Sequence, residues 1–192
     1  MLAISDHMTN VRSPATCVPL IEACQEQVKS KELGRSADYS KQKGAVAATL
    51  DIIGEPWTLL IIRDAFLGTA RFEQWQERLG LARNVLAARL KHLVAHGIFE
   101  PVLYCERPKR YEYLLTDKGR ELQPIIVHML DWGQRNVYGD QPSEISLVHS
   151  CGHAFKPVTV CDACDKPMVG SDVTVVHNDN AKTLSEIYGE RA

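Results

Sequence analysis

Two short phrases carry the residue types most capable of chemistry: His149-Ser150-Cys151-Gly152-His153 and Cys161-Asp162-Ala163-Cys164. A Cys-x-x-Cys turn offers two thiolates to one ion, and three thiolates with one imidazole suit tetrahedral zinc. On an extended segment Cys151 points to the same face as His149 and His153. The expected ligands of a structural zinc are therefore Cys151, Cys161, Cys164 and His153, which Gly152 lets turn close, with His149 as the alternative. No water-activating acid stands beside them, so catalytic zinc is not expected. Asp165 occupies the position where such knuckles usually carry glycine. Two other readings stay open, a redox-active dithiol and three unliganded thiols in a small sheet. A redox motif normally opens a helix after a strand, which Asp165-Lys166-Pro167 discourages.

A second set of residues suits an anionic partner. A helix over 84–96 presents Arg83 and Asn84 at its start and Ala87, Lys91 and His92 along its outer face. Its length, at about 1.5 Å per residue, fits across a DNA major groove. Arginine paired with guanine and asparagine with adenine are the favoured base contacts. Arg89 either reaches a phosphate or pairs internally with an acid. Arg107, Lys109 and Arg110 put three cations into four residues around Pro108, a composition fit for phosphate contact. Arg71 could clamp the backbone as well, or salt-bridge within the fold.

The elements that must position these groups follow from periodicity. Residues 45–53 read as a short apolar helix stopped by Gly54, and Pro56 suits the first turn of the next, apolar nearly all round over 57–66. Residues 71–79 bury Phe72, Trp75 and Leu79, and a turn at Gly80-Leu81-Ala82 leads into 84–96, closed by Gly97. Residues 98–104 and 111–115 are β-prone and flank the charged Glu106-Arg107-Pro108-Lys109, which predicts a hairpin. Thr116 can cap a long helix from Asp117 to about Tyr138, kinked at Pro124. Its face Ile125, Met129 and Trp132 is more apolar surface than one small domain covers, which predicts a dimer seam. Helix, helix, turn, helix, hairpin, long helix is the order of a winged helix-turn-helix.

The run Leu50-Asp51-Ile52-Ile53-Gly54-Glu55-Pro56-Trp57-Thr58-Leu59-Leu60-Ile61-Ile62-Arg63-Asp64 resembles the opening of HxlR-type transcriptional regulators. Arg71-Phe72, Leu86-Ala87-Ala88-Arg89-Leu90-Lys91-His92-Leu93, Gly97, the phrases Glu106-Arg107-Pro108-Lys109-Arg110-Tyr111-Glu112-Tyr113 and Leu115-Thr116-Asp117-Lys118-Gly119, and Trp132 continue it in order. The resemblance spans about residues 44–138. It implies a homodimeric, sequence-specific regulator of double-stranded DNA that responds to a small molecule or to electrophilic or oxidative stress. Gly44 stands where members commonly carry a reactive cysteine, so thiol sensing at that position is not carried over.

Composition is that of a globular protein, with 45% apolar and 24% charged residues. The net charge of −2 hides a middle region, 40–138, with 14 basic and 11 acidic residues, followed by an acidic tail. That modest positive balance keeps a rival reading alive, a winged-helix protein–protein adaptor with a zinc-ribbon-like module. No Ser/His/Asp phrase, phosphate-cradling glycine loop or paired carboxylates suggest an enzyme. No apolar run approaches the roughly 20 residues of a membrane span, and no signal peptide is recognisable, so a cytoplasmic protein is expected. The expected fold is mainly α with a β-hairpin wing, in three parts. These are an extension over 1–40 with a possible helix at 20–33, a winged domain over 41–138, and a small β-rich Cys/His module over 139–192.

Overall fold

The computed structural model describes Tyr39, residues 41–142 and 145–174, and Val176, Lys182, Thr183, Glu186 and Ile187. The expected helix at 20–33 lies outside the described residues, as do Cys17 and Cys24. Helix α1 (Ala45–Ile53) ends at Gly54 as its sequence predicts. Helix α2 (Thr58–Phe66) starts later than expected, with Pro56 in the turn before it and Trp57 at its N-cap. Trp57 adopts φ +73 and stands 43% exposed, so it is no core residue. A bulky side chain in the left-handed region is a strained arrangement.

Ile61 and Ile62 of α2 are fully buried in one core with residues of α3 (Phe72–Leu79) and α4 (Arg83–Ala95). Trp75 is the centrepiece: its Nε1 donates to the Ile61 carbonyl at 3.1 Å, and Phe99 and Tyr113 pack around its ring. Asp64 is also fully buried, yet it is paired with Arg63 at 2.8 Å and Arg78 at 3.3 Å. That carboxylate ties α2 to α3 and tolerates burial because its oxygens are matched.

Helix α4 ends in a Schellman motif. The Gly97 N–H bonds to Val94 O at 3.0 Å and the Ile98 N–H to Leu93 O at 2.9 Å. Gly97 takes φ +68, and the accompanying apolar contact is between the buried Leu93 and Ile98. The Lys118 ammonium donates to the His96 carbonyl at 2.8 Å, placing a cation at the negative helix end.

The hairpin is longer than predicted. Strands β1 (Phe99–Glu106) and β2 (Lys109–Leu115) pair antiparallel from Phe99↔Leu115 to Glu106↔Lys109, with an irregularity between Leu103 and Cys105. Only Arg107 and Pro108 form the turn. The Tyr113 N–H donates to Ala70 O at 2.8 Å and so fixes β2 to the residues before α3.

The single kinked helix expected after Thr116 is two helices. Thr116 caps α5 (Asp117–Arg120) by accepting from the Gly119 N–H at 3.0 Å, as its sequence position predicts. Helix α6 (Gln123–Gly133) restarts with Pro124 in its first turn and passes into a π turn over Gln134–Tyr138. Proline lacks the N–H to continue α5 and its ring clashes with the carbonyl four residues back, so the break falls just before it.

Past residue 145 the predicted strands reduce to two isolated antiparallel bridges, Val148↔Ala154 and Val160↔Pro167. None of the described residues from 145 to 176 is buried. This segment touches the winged domain where the Thr159 hydroxyl donates to His128 Nε2 on α6 at 3.1 Å, since His128 Nδ1 already bonds the Pro124 carbonyl. Among the described residues no single helix is long and apolar enough to cross a membrane.

Candidate nucleic-acid interface

The turn between α3 and α4 turns the start of α4 outward. Leu86, Leu90 and Leu93 anchor one face in the core, which leaves Arg83, Asn84, Ala87 and Lys91 exposed on the other. Their spacing of one, four and eight residues is that of a single helical face. Arg83 is braced rather than loose. Its Nη1 donates to Gln76 Oε1 at 3.0 Å, and its guanidinium lies 5.0 Å from the Phe72 ring centre. From sequence Phe72 has only a core role and Gln76, also on α3, has none. The helical offset between residues 76 and 83 falls across a turn, so no periodicity announces the contact.

One sequence expectation changes here, and the readings left open for Arg89 and Arg71 resolve. His92 is 4% exposed, and its Nε2 donates to the Ile52 carbonyl at 3.0 Å. It satisfies an orphan carbonyl in the last turn of α1 and cannot face DNA. Arg89 takes the internal of its two roles, with Nη2 3.2 Å from Glu55 and both side chains under a tenth exposed. Arg71 is committed within the fold: Nε donates to Glu112 Oε1 at 2.8 Å, and the guanidinium lies 4.5 Å over Tyr104. It is a wing anchor rather than a free phosphate contact.

Arg107, Lys109 and Arg110 are exposed at the far end of the hairpin. Lys109 stands opposite Glu106, and Arg110 opposite Cys105. Neighbouring strand residues point to opposite faces, so Lys109 and Arg110 cannot serve one surface together. Burial against Trp75 raises the Tyr113 phenol above its ordinary value and keeps it neutral at the wing root.

Ile125, Met129 and Trp132, the residues expected at a dimer seam, are 41%, 49% and 59% exposed on α6. A cavity of about 300 Å³ opens on the neighbouring face, lined by Leu59, Leu60, Arg63, Ile126, Leu130 and Tyr138 among others.

The Cys/His residues do not form the expected tetrahedral set. Among the described residues no three His, Cys, Asp or Glu side chains converge on one point. They form two pairs instead. His149 Nδ1 lies 3.2 Å from Cys151 Sγ, while the Ala163 and Cys164 N–H groups and the Cys164 thiol point at Cys161 Sγ. Those hydrogen bonds hold the Cys161 thiol below its ordinary value. His153, the expected fourth ligand, acts here through its carbonyl, which accepts from the His149 N–H at 2.9 Å.

Residues 52–141 match the model of the HxlR-like helix-turn-helix family. The uncharacterised HTH-type transcriptional regulator Rv3095 of Mycobacterium tuberculosis is 39% identical over 131 residues, covering 68% of this chain and 83% of the relative. YdeP of Bacillus subtilis, also an uncharacterised HTH-type transcriptional regulator, is 33% identical over 112 residues, 56% of this chain and 86% of its own. The crystal structure of PA1607 superposes with a TM-score of 0.65 at 37% identity, covering 74% of this chain and all of that one. That of PA1374 from Pseudomonas aeruginosa gives 0.52 at 30% identity, over 73% and 98%. These relatives are named as transcriptional regulators and transcription factors rather than enzymes, and the fold agrees with the two solved structures. The chain belongs to the HxlR-like helix-turn-helix family of transcriptional regulators.

Proposed function

We propose that this regulator is cytoplasmic and binds double-stranded DNA as a homodimer, reading a pseudo-palindromic operator. One observation carries the reading: Arg83, Asn84, Ala87 and Lys91 share the exposed face of α4, with Arg83 pre-positioned by Gln76 and Phe72. A braced guanidinium loses less freedom on meeting a guanine edge than a mobile one. No side chain caps the α4 N-terminus, so its first N–H groups are also available to a phosphate. Arg107 and Lys109 supply backbone contact from the wing, which positions the helix without specifying sequence.

The exposed Ile125, Met129 and Trp132 form the dimer seam, and two α4 helices related by a two-fold axis read half-sites about one helical turn apart. The cavity beside α2 and α6 suits a small apolar effector with one anionic or hydrogen-accepting group directed at Arg63. Fluorescence anisotropy with genomic fragments tests the reading. A preferred fragment should bind with affinity that falls steeply as salt rises. Equal binding to random DNA overturns sequence-specific recognition.

A further inference from the structure

The segment past residue 145 repeats one construction. In each half an antiparallel bridge closes a tight turn, Val148↔Ala154 in the first and Val160↔Pro167 in the second. Each turn contains a residue at positive φ, Gly152 at +86 and Asp165 at +55. Each contains two soft or borderline donors: His149 with Cys151, and Cys161 with Cys164. Asp165, the residue that departs from the usual glycine, adopts the left-handed conformation that glycine would supply. Asn and Asp tolerate that region best among the other residues.

The donor geometry within the first turn is close to that of half a coordination sphere. Zinc with sulfur at about 2.3 Å and nitrogen at 2.0–2.1 Å sets the S···N edge of a tetrahedron at about 3.6 Å. The His149–Cys151 pair stands at 3.2 Å. In the other turn the Asp165 N–H donates to the Cys161 carbonyl at 2.8 Å, which folds Cys161 and Cys164 into one Cys-x-x-Cys turn.

A second observation points the same way. The segment has two ordered turns but no buried residue among those described. Apolar burial therefore does not hold the turns together, and modules of this size usually need a metal or a disulfide. Its three thiols are free. We propose that the two turns are the halves of one structural zinc site, with Cys151, Cys161 and Cys164 as thiolates and His149 as the imidazole ligand.

Among the described residues the two halves do not converge on one point, so on this proposal zinc binding and closure of the module are one event. The free energy of coordination is then folding free energy of this segment. Binding releases the three thiol protons to solvent and leaves the oxidation states unchanged. The ligand set departs from the simplest reading of the sequence in preferring His149 to His153, because His149 Nδ1 already lies beside Cys151 Sγ.

The full chain, purified without a polyhistidine tag, loaded with zinc sulfate and desalted, should retain one zinc per chain by elemental analysis. X-ray absorption at the zinc edge should show three sulfur neighbours and one nitrogen. Zinc should protect Cys151, Cys161 and Cys164 together from maleimide while Cys105 stays reactive. C151S, C161S and H149A should each lose the metal, whereas H153A keeps it, and unchanged helical circular dichroism separates metal loss from unfolding. Metal-free wild type, C151S that still holds zinc, or a two-sulfur spectrum overturns the proposal. Loss of zinc in H153A with retention in H149A overturns the ligand assignment.

Discussion

Arg71 Nε donates to Glu112 Oε1 at 2.8 Å, so the first residue of the helix-turn-helix holds the second strand of the wing. The same guanidinium covers the Tyr104 ring on the other strand. Both strands are therefore referenced to α3, the helix that also braces Arg83.

Arg71→Ala should leave the melting temperature nearly unchanged, because an exposed ion pair stabilises little. It should instead raise amide exchange along β2 and weaken operator binding by loosening the wing. Hydrogen exchange by mass spectrometry measures the first effect and anisotropy the second. A large drop in melting temperature with unchanged exchange would give the pair a role in the fold rather than in wing placement.

Gly119 is set by a close approach. A Cβ there would lie 2.3 Å from the Ile98 carbonyl oxygen and 3.0 Å from a Leu115 methyl carbon. The obstructing atom is backbone and cannot swing aside. Gly119→Ala should cost about 1–3 kcal/mol in denaturant melts. Thr116→Ala removes the cap on the Gly119 N–H together with the hydroxyl's own bond to the Gly97 carbonyl at 2.6 Å, and should cost about 1–2 kcal/mol. Equal stability of Gly119→Ala and wild type would mean that β1 can retreat.

Local signals of this kind were legible in the sequence. Gly97 announced the end of α4, Thr116 the start of α5, and the apolar spacing of Leu86, Leu90 and Leu93 gave the buried face of the recognition helix. What sequence obscured were polar groups whose partners come from distant elements. His92 reads as an outward-facing DNA contact until the Ile52 carbonyl, 40 residues earlier, is brought beside it. Arg71 reads equally as a phosphate clamp or an internal ion pair until β2 delivers Glu112, 41 residues later. The division of the last long helix at Pro124 was legible as a distortion but not as a break. Whether a chain bends or restarts depends on what Thr116 and Ile98 already hold in place.

Arg89 and Glu55 form a buried pair, and Arg89→Met should destabilise the domain by about 3–5 kcal/mol by leaving the carboxylate without that partner. Its exposure of 6% leaves no path to a phosphate. The salt dependence of DNA binding should therefore be unchanged once the variant is measured at a temperature where it is folded. A shallower salt slope would return Arg89 to the interface.

Tyr113 gives stability a defined alkaline limit. Burial raises its folded-state value, so the neutral phenol is favoured in the folded chain. The stabilisation is fully present below about pH 10, the unfolded value, and is lost as pH rises through the folded one. Thermal melts from pH 8 to 11 should fall at the top of that range, and Tyr113→Phe should flatten the decline. An identical decline in the variant would assign it to other groups.

The proposed interface divides into residues that would read bases and residues that would hold the backbone. Arg83→Ala should relax preference at one base pair by about 1–3 kcal/mol while leaving affinity for random DNA nearly intact. Lys109→Ala should weaken all sequences alike and lower the salt slope by about one phosphate's worth, near 0.9. Arg110 lies on the opposite face of β2 from Lys109, so Arg110→Ala should leave that slope unchanged. Anisotropy titrations of the three variants across a salt series, on operator and on scrambled DNA, measure all three effects. If Lys109→Ala and Arg110→Ala shift the slope equally, the wing inserts edge-on with both faces against phosphate, and one-sided docking is wrong.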